Sequence, residues 1–179
     1  MNNTDKKWKL VKSKPVFESK WLSVLENDYE LPDGKEAKGY YHLSRPDYIL
    51  VIAIDKGNNV VVERNYRRGV DDFVYELPAG WVEANETVEQ AATRELLEET
   101  GYAAEVKILG KIYPQPGFCS MLAYVAMARI DESQKGKQAL GQDEDVKYEL
   151  INLRQIKQMV ARGEIKDMGF LSALQLAAL

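Results

Sequence analysis

Three glutamates, Glu95, Glu98 and Glu99, stand at i, i+3 and i+4 within a run of good helix formers that opens after Thr87 and stops at Gly101. On a helix these positions share one arc of about 100°. Like charges so placed repel by about 0.2–0.5 kcal/mol per pair. They also fall in the last turns, where the helix dipole disfavours anions. A helix needed only for solubility would carry lysines there. A cation against the face removes the conflict, and hard divalent ions such as Mg²⁺ take carboxylate oxygens while keeping positions for phosphate oxygens. On the triplet alone, a solvated acidic face is the other reading.

The elements that must position the triplet are also legible. Thr87 is the expected N-cap, and Gln90, three residues on, completes a capping box. Gly101 sits where a left-handed residue ends the helix. Upstream, Phe73 to Leu77 reads as a strand running through Pro78 into Ala79-Gly80, and Asn85 falls in the turn before the helix. Asn tolerates a left-handed conformation better than most residues.

The flanking chain supplies a sheet. Tyr48 to Ile54 reads as a buried strand, Asp55 to Asn59 as a turn, and Val60 to Tyr66 as its partner strand. Ala104 to Tyr113, Met121 to Ile130 and Val146 to Leu150 are further strands. Asp131 to Asp145 is expected to be a mobile acidic loop. Asn152 and Asp167 are placed to cap two C-terminal helices, the second with Leu171, Leu174 and Leu176 facing the core. Before Pro46, strands around Val16-Phe17, Trp21 to Leu31 and Tyr40 to Leu43 form an N-terminal sheet, with a turn at Pro32 to Lys35.

Composition narrows the function classes. The 179 residues favour one main domain with an appendage. A net charge of −4 argues against general nucleic-acid binding. The lone cysteine, Cys119, rules out an intrachain disulfide and reads as a small buried hydrophobe; the lone histidine is His42. The longest apolar run, Tyr48 to Ile54, is too short to span a membrane, and no secretory signal is read at the N-terminus. A cytoplasmic location without a membrane partner is the expectation.

Gly80, five residues, Glu86, seven residues, then Arg94-Glu95-Leu96-Leu97-Glu98-Glu99-Thr100-Gly101 and a closing apolar position, here Tyr102, resembles the signature of the Nudix hydrolases. The segments Glu76-Leu77-Pro78-Ala79-Gly80, Asn65-Tyr66-Arg67 and Pro116-Gly117 are similar to those of the branch that cleaves ADP-ribose and nucleoside diphosphate sugars. Two positions depart from it: Gln115 and Met121 stand where relatives often carry serine and glutamate.

The resemblance implies the Nudix fold, an α+β mixed sheet sandwiched between helices, with residues 1–45 as a small antiparallel dimerisation sheet and 46–179 as the hydrolase domain. It implies a homodimer. It implies Mg²⁺ or Mn²⁺, two or three ions, held by Glu95, Glu98, Glu99 and the Ala79 carbonyl. Arg94 would orient the glutamates and Glu86 support the loop–helix junction. Glu144 is the expected general base, with Asp143 and Asp145 as neighbours able to replace it and Glu99 the next in line. Arg67, Trp21 and Glu83 would serve the substrate. Trp21 either stacks on the base or packs an interface. The implied reaction cleaves a nucleotide sugar into a nucleoside monophosphate and a sugar phosphate. A nucleoside-triphosphate pyrophosphatase and a non-catalytic ADP-ribose sensor are the alternatives.

Overall fold

The structure, a computed structural model, describes residues 6–142 and 145–179. Its chain divides into two compact units. One runs to Pro46 and includes Gln115–Met121; the other comprises Asp47–Pro114 and Leu122–Leu179.

The first unit is a three-stranded antiparallel sheet, β1 (Lys9–Glu18), β2 (Ser23–Glu30) and β3 (Glu36–Ser44), in that spatial order. Asp33 sets the β2–β3 turn by accepting the Lys35 N–H at 3.1 Å. Trp8, Tyr29 and Tyr40 meet edge-to-face, with centroids 5.7–6.1 Å apart. All ten residues of β1 are exposed, Leu10, Val11, Val16 and Phe17 among them. The segment Gln115–Met121 adds a bridge to β3, with the Leu43 N–H donating to the Phe118 carbonyl at 2.7 Å. It buries Cys119 and Met121.

The second unit holds β4 (Tyr48–Ile54), β5 (Asn59–Arg67), β6 (Asp72–Glu76), β7 (Ala79–Trp81), α1 (Val88–Thr100), β8 (Val106–Ile112), β9 (Ala123–Arg129), β10 (Tyr148–Asn152), α2 (Leu153–Ala161) and α3 (Met168–Leu176). The sheet runs β10-β5-β4-β9-β8, with β6 on β5 and β7 on β4. Only the β4–β9 pairing is parallel, so the sheet is mixed. Helices cover both faces. Leu50, Ile52 and Ile54 of β4 pack with Ile156, Met159, Phe170 and Ala173 of α2 and α3. Their alternates Ile49, Val51 and Ala53 pack with Ala91, Ala92 and Leu96 of α1. A strand buried on both sides reads as an unbroken apolar run, as 48–54 does. This is the expected α+β sandwich. Among the described residues no helix is long and apolar enough to cross a membrane.

Two expectations need correction. β4 and β5 are not a full hairpin pair: they meet only at Ile54↔Val60. They splay apart, and β7 takes the other half of the same β4 edge through Ile49↔Gly80 and Leu50↔Ala79. In α3 the buried stripe is Phe170, Ala173 and Leu174, the i, i+3, i+4 face, and Leu171 and Leu176 are exposed. In the described part of the 131–145 loop, Glu132–Gln134 forms a short 3₁₀ turn, and its other hydrogen bonds are given below.

Candidate active site

The splay between β5 and β7 is floored by α1, whose placement follows from local chemistry. Thr87 Oγ1 accepts the Gln90 N–H at 3.2 Å, and Gln90 Oε1 accepts the Thr87 N–H at 2.7 Å. Asn85 turns the chain at φ 78°. Gly80 is closely approached: a Cβ there would lie 1.8 Å from Glu95 Oε1, so a side chain would push that carboxylate off its place. The signature glycine thus makes room for a signature carboxylate.

Arg94 is the hub of this wall. Its Nη2 and Nε donate to the two oxygens of Glu86 at 2.7 and 3.1 Å, a bidentate fork. Nη1 donates to Glu95 Oε1 at 2.7 Å and Glu98 Oε2 at 3.3 Å, and Nη2 also reaches the Trp81 carbonyl at 3.0 Å. One guanidinium therefore staples the loop after β7 to the helix and shields two box glutamates from each other. Its hydrogen bonds hold the Glu86 carboxyl below the usual carboxylate range. Glu99 is oriented differently: its Oε2 accepts the Ala79 N–H at 2.9 Å.

The opposite wall comes from β5 and β6, where Glu63 and Glu76 are directly paired across the strands. Asn65 Nδ2 bridges them, at 2.9 Å from Glu63 Oε2 and 3.2 Å from Glu76 Oε2. Arg67 closes on Glu76, with Nη2 at 2.6 Å from Oε2 and Nε at 2.8 and 2.9 Å from its two oxygens. Glu63 is 1% exposed, and its carboxyl lies beside that of Glu99. Burial pushes its carboxyl up to about 7, with the nearby Glu76 charge adding and the Asn65 hydrogen bond opposing.

The end of α1 is finished by the acidic loop. Gly101 adopts φ 80° and donates its N–H to the Leu97 carbonyl. The remaining carbonyls of the last turn find donors outside the helix: Glu98 from the Ala139 N–H and Gly101 from the Gly136 N–H, both at 2.8 Å, Glu99 from the Gln138 amide and Thr100 from the Tyr148 hydroxyl at 2.8 Å. These are the groups a helix leaves without intrahelical partners. The segment Gly136 to Ala139 is thereby anchored to the backbone of the glutamates.

Between the walls opens a cleft of about 610 Å³. Glu95, Glu99, Ala79 and Gly80 line it on one side, and Arg64, Arg67, Arg68 and Lys147 give it a basic rim. Acid beside base in one cleft suits a polyanion carried with cations. Of the residues singled out in the sequence, Glu95, Glu99, Ala79, Arg67 and Asp145 line this cleft. Glu98 adjoins through Arg94. Glu83 is exposed, and it is its backbone N–H that donates to Glu86 Oε1 at 2.7 Å. Trp21 is 58% exposed in the first unit, with Lys20 Nζ 4.7 Å from its ring centroid. Asp143 and Glu144 lie outside the described residues. Sequence reasoning did not find Glu63, Arg64, Gln138, Lys147 or Tyr148. For Glu63 a signal existed: a carboxylate directly following Val60-Val61-Val62 in a strand with no obvious reason to be charged.

The donor set fits a hard divalent cation, since the side chains that could ligate offer oxygen, the carboxylates of Glu95 and Glu99 foremost and the Asn65 amide oxygen with them. Among the described residues no three acidic, histidine or cysteine side chains are already gathered as a ligand sphere. Glu95 is instead turned onto Arg94 and Glu99 onto the Ala79 N–H, contacts for which a cation competes.

Comparison with known proteins bears on the family and the fold. The NUDIX domain model matches residues 44–171, and a model described as the nucleoside diphosphate sugar hydrolase N-terminal domain matches residues 8–43. The chain belongs to the Nudix hydrolase family. It is 31% identical to an ADP-ribose pyrophosphatase of Bacillus subtilis (strain 168) over 93% of this chain and 90% of the relative. It is 33% identical to a methanol dehydrogenase activator of Bacillus methanolicus over 81% of this chain and 77% of the relative. A crystal structure of an ADP compounds hydrolase superposes with a TM-score of 0.82 at 22% identity, covering 97% of this chain and 93% of that one. At that identity the likeness speaks for the fold.

Proposed function

We propose that this enzyme hydrolyses the diphosphate bond of nucleoside diphosphate sugars, with ADP-ribose the leading substrate, to a nucleoside monophosphate and a sugar phosphate. The observation that carries the proposal is the two-signed cleft: box carboxylates Glu95 and Glu99 face a rim of Arg64, Arg67 and Lys147. The match of residues 8–43 to the nucleoside diphosphate sugar hydrolase N-terminal model and the similarity to the Bacillus subtilis enzyme support the substrate class.

Two or three Mg²⁺ or Mn²⁺ ions held by Glu95, Glu98, Glu99 and the Ala79 carbonyl would supply positive charge against the diphosphate and acidify water. The chain's own groups do the rest. Arg94 keeps the loop and the glutamates in register. Arg67, fixed by Glu76, presents its guanidinium to the substrate phosphates. Glu144, or Asp145 beside it, takes the proton of the attacking water. The water oxygen bonds to one phosphorus, and the bridging oxygen leaves with the other. No covalent enzyme intermediate is required.

The exposed apolar face of β1 gives the first unit a surface to bury, and we assign it to a homodimer, with Trp21 serving the base or the interface. A monomer by light scattering at micromolar concentration contradicts that assignment. The substrate reading is tested by kcat/KM for ADP-ribose, ADP-glucose, GDP-mannose, UDP-glucose and dGTP. The expected order places the diphosphate sugars above dGTP. A preference for dGTP replaces the proposal by the triphosphate reading, and binding of ADP-ribose without turnover replaces it by the sensor reading.

A further inference from the structure

We infer that Glu63 is an additional carboxylate ligand for a divalent cation shared with Glu99, contributed by β5 from outside the signature stretch. The inference rests on the cation reading of the box glutamates. Three observations carry it. Glu63 is 1% exposed, so water does not satisfy it. Its Oε2 accepts from Asn65 at 2.9 Å, but Oε1 has no hydrogen-bond partner among the described residues. A buried carboxylate oxygen left without a donor is costly, of the order of 1–3 kcal/mol, and calls for an explanation. The third is its neighbours. The Glu63 carboxyl touches that of Glu99 and feels Glu76, paired across the strands.

Two ionised carboxylates in contact have no hydrogen to share, so something positive must stand between them: a proton or a metal ion. The nearest fixed cation, Arg67, is felt by Glu63 but has no hydrogen bond to it. Arg67 gives its Nε and Nη2 hydrogen bonds to Glu76. The donor to Glu63 is the neutral amide of Asn65. A divalent ion suits the position because it bonds carboxylate oxygens from two elements at once. Such a cation ties β5 to α1 across the cleft.

Glutamine at position 63 separates the possibilities. It keeps the shape and hydrogen-bonding capacity of a protonated carboxyl but cannot carry charge. Calorimetric titration with Mn²⁺ on the full chain is the measurement, using the unaltered protein, Glu63→Gln and Glu99→Gln, with melting in EDTA as the folding control. We expect Glu63→Gln to bind Mn²⁺ about 10- to 100-fold more weakly, while its melting temperature in EDTA is unchanged or higher. Affinity within twofold of the unaltered protein, with Glu99→Gln impaired, overturns the inference and leaves the box reading standing. Unchanged affinity in both variants overturns the box reading and the inference together. Should Glu63→Gln fail to fold, anomalous scattering from Mn²⁺-soaked crystals of the unaltered protein decides: an ion at coordination distance, about 2.2 Å, from both Glu63 and Glu99 supports it, and ions bound by box glutamates without Glu63 refute it.

Discussion

The two walls of the cleft each use an arginine that forks a glutamate, yet they are built differently. On the helix wall, Arg94 and Glu86 lie eight residues apart, in one continuous stretch of loop and helix. On the strand wall, Arg67 and Glu76 lie nine apart, across a hairpin, and the network reaches on through Asn65 to the buried Glu63. The Arg94 guanidinium also touches two box glutamates and a backbone carbonyl. Arg67 lies at the rim of the cleft, its side chain about half exposed. The contrast teaches that the same ion pair can be locked into the frame in one place and stand open to a cleft in the other. Removing Arg94 should disturb the fold and every function. Removing Arg67 should disturb the substrate more than the fold.

Substitutions can break or sharpen this contrast. The largest effect is expected from Glu99→Gln, the helix-wall residue that also touches the strand wall. Its kcat should fall about 10²- to 10⁴-fold, with circular dichroism and melting in EDTA unchanged, because removing one of several repelling anions costs no packing. Full activity in this variant would remove Glu99 from the chemistry.

Next comes the pair of arginines. Arg94→Lys loses the planar fork while keeping the charge, and should destabilise the protein by about 1.5–3 kcal/mol. Arg67→Ala should raise KM about tenfold or more and lower the melting temperature less than Arg94→Lys does, since only the Glu76 carboxylate loses its partner. Equal losses of stability in the two variants would erase the distinction drawn above.

A smaller effect depends on pH. Arg94 holds the folded-state Glu86 carboxyl below its ordinary value of 4.5. A depressed acid contributes stability that is fully present above its unfolded-state value and is lost as pH falls through the folded value. Glu86→Gln should therefore be less stable than the unaltered protein at pH 7, and the gap should close as pH drops below about 4.5. Denaturant melts across that range measure it. A gap independent of pH would mean that the charge of Glu86 is not what matters.

The smallest change expected is in Gln138→Ala, which removes one donor to a helix-end carbonyl. It should cost about 0.5–1.5 kcal/mol. Any loss of kcat beyond that shared by other mild destabilisers would indicate that the anchored loop also positions a reacting group.

The contrast also explains what was legible in the sequence. The helix wall could be read in detail: Thr87, Gln90, Asn85 and Gly101 act on neighbours within a few residues, so local chemistry fixes them. Gly80 leaves room for the Glu95 carboxylate. The strand wall could be read only in part. Asn65 and Arg67 stand out by resemblance, but Glu63 acquires its meaning from Glu76 and Glu99, which only the register of β5 with β6 and the packing of α1 bring beside it. Likewise Gln138 and Tyr148 serve helix carbonyls 39 and 48 residues away in the chain, and no spacing rule reaches that far. The splay of β4 from β5 was hidden because a tight turn predicts adjacency and not how far pairing continues. In α3, leucines outnumber the positions facing the core, so hydrophobicity alone misplaced Leu171 and Leu176.

The central claim is that this cleft cleaves a diphosphate linkage through its box carboxylates and a divalent ion. Phosphorus NMR of ADP-ribose incubated with the protein and Mg²⁺ tests it most directly. The account predicts that the diphosphate resonances give way to two phosphate monoesters, AMP and ribose 5-phosphate, and that EDTA halts the conversion. Diphosphate signals that persist with active protein and Mg²⁺, or conversion that continues unchanged in EDTA, would contradict it.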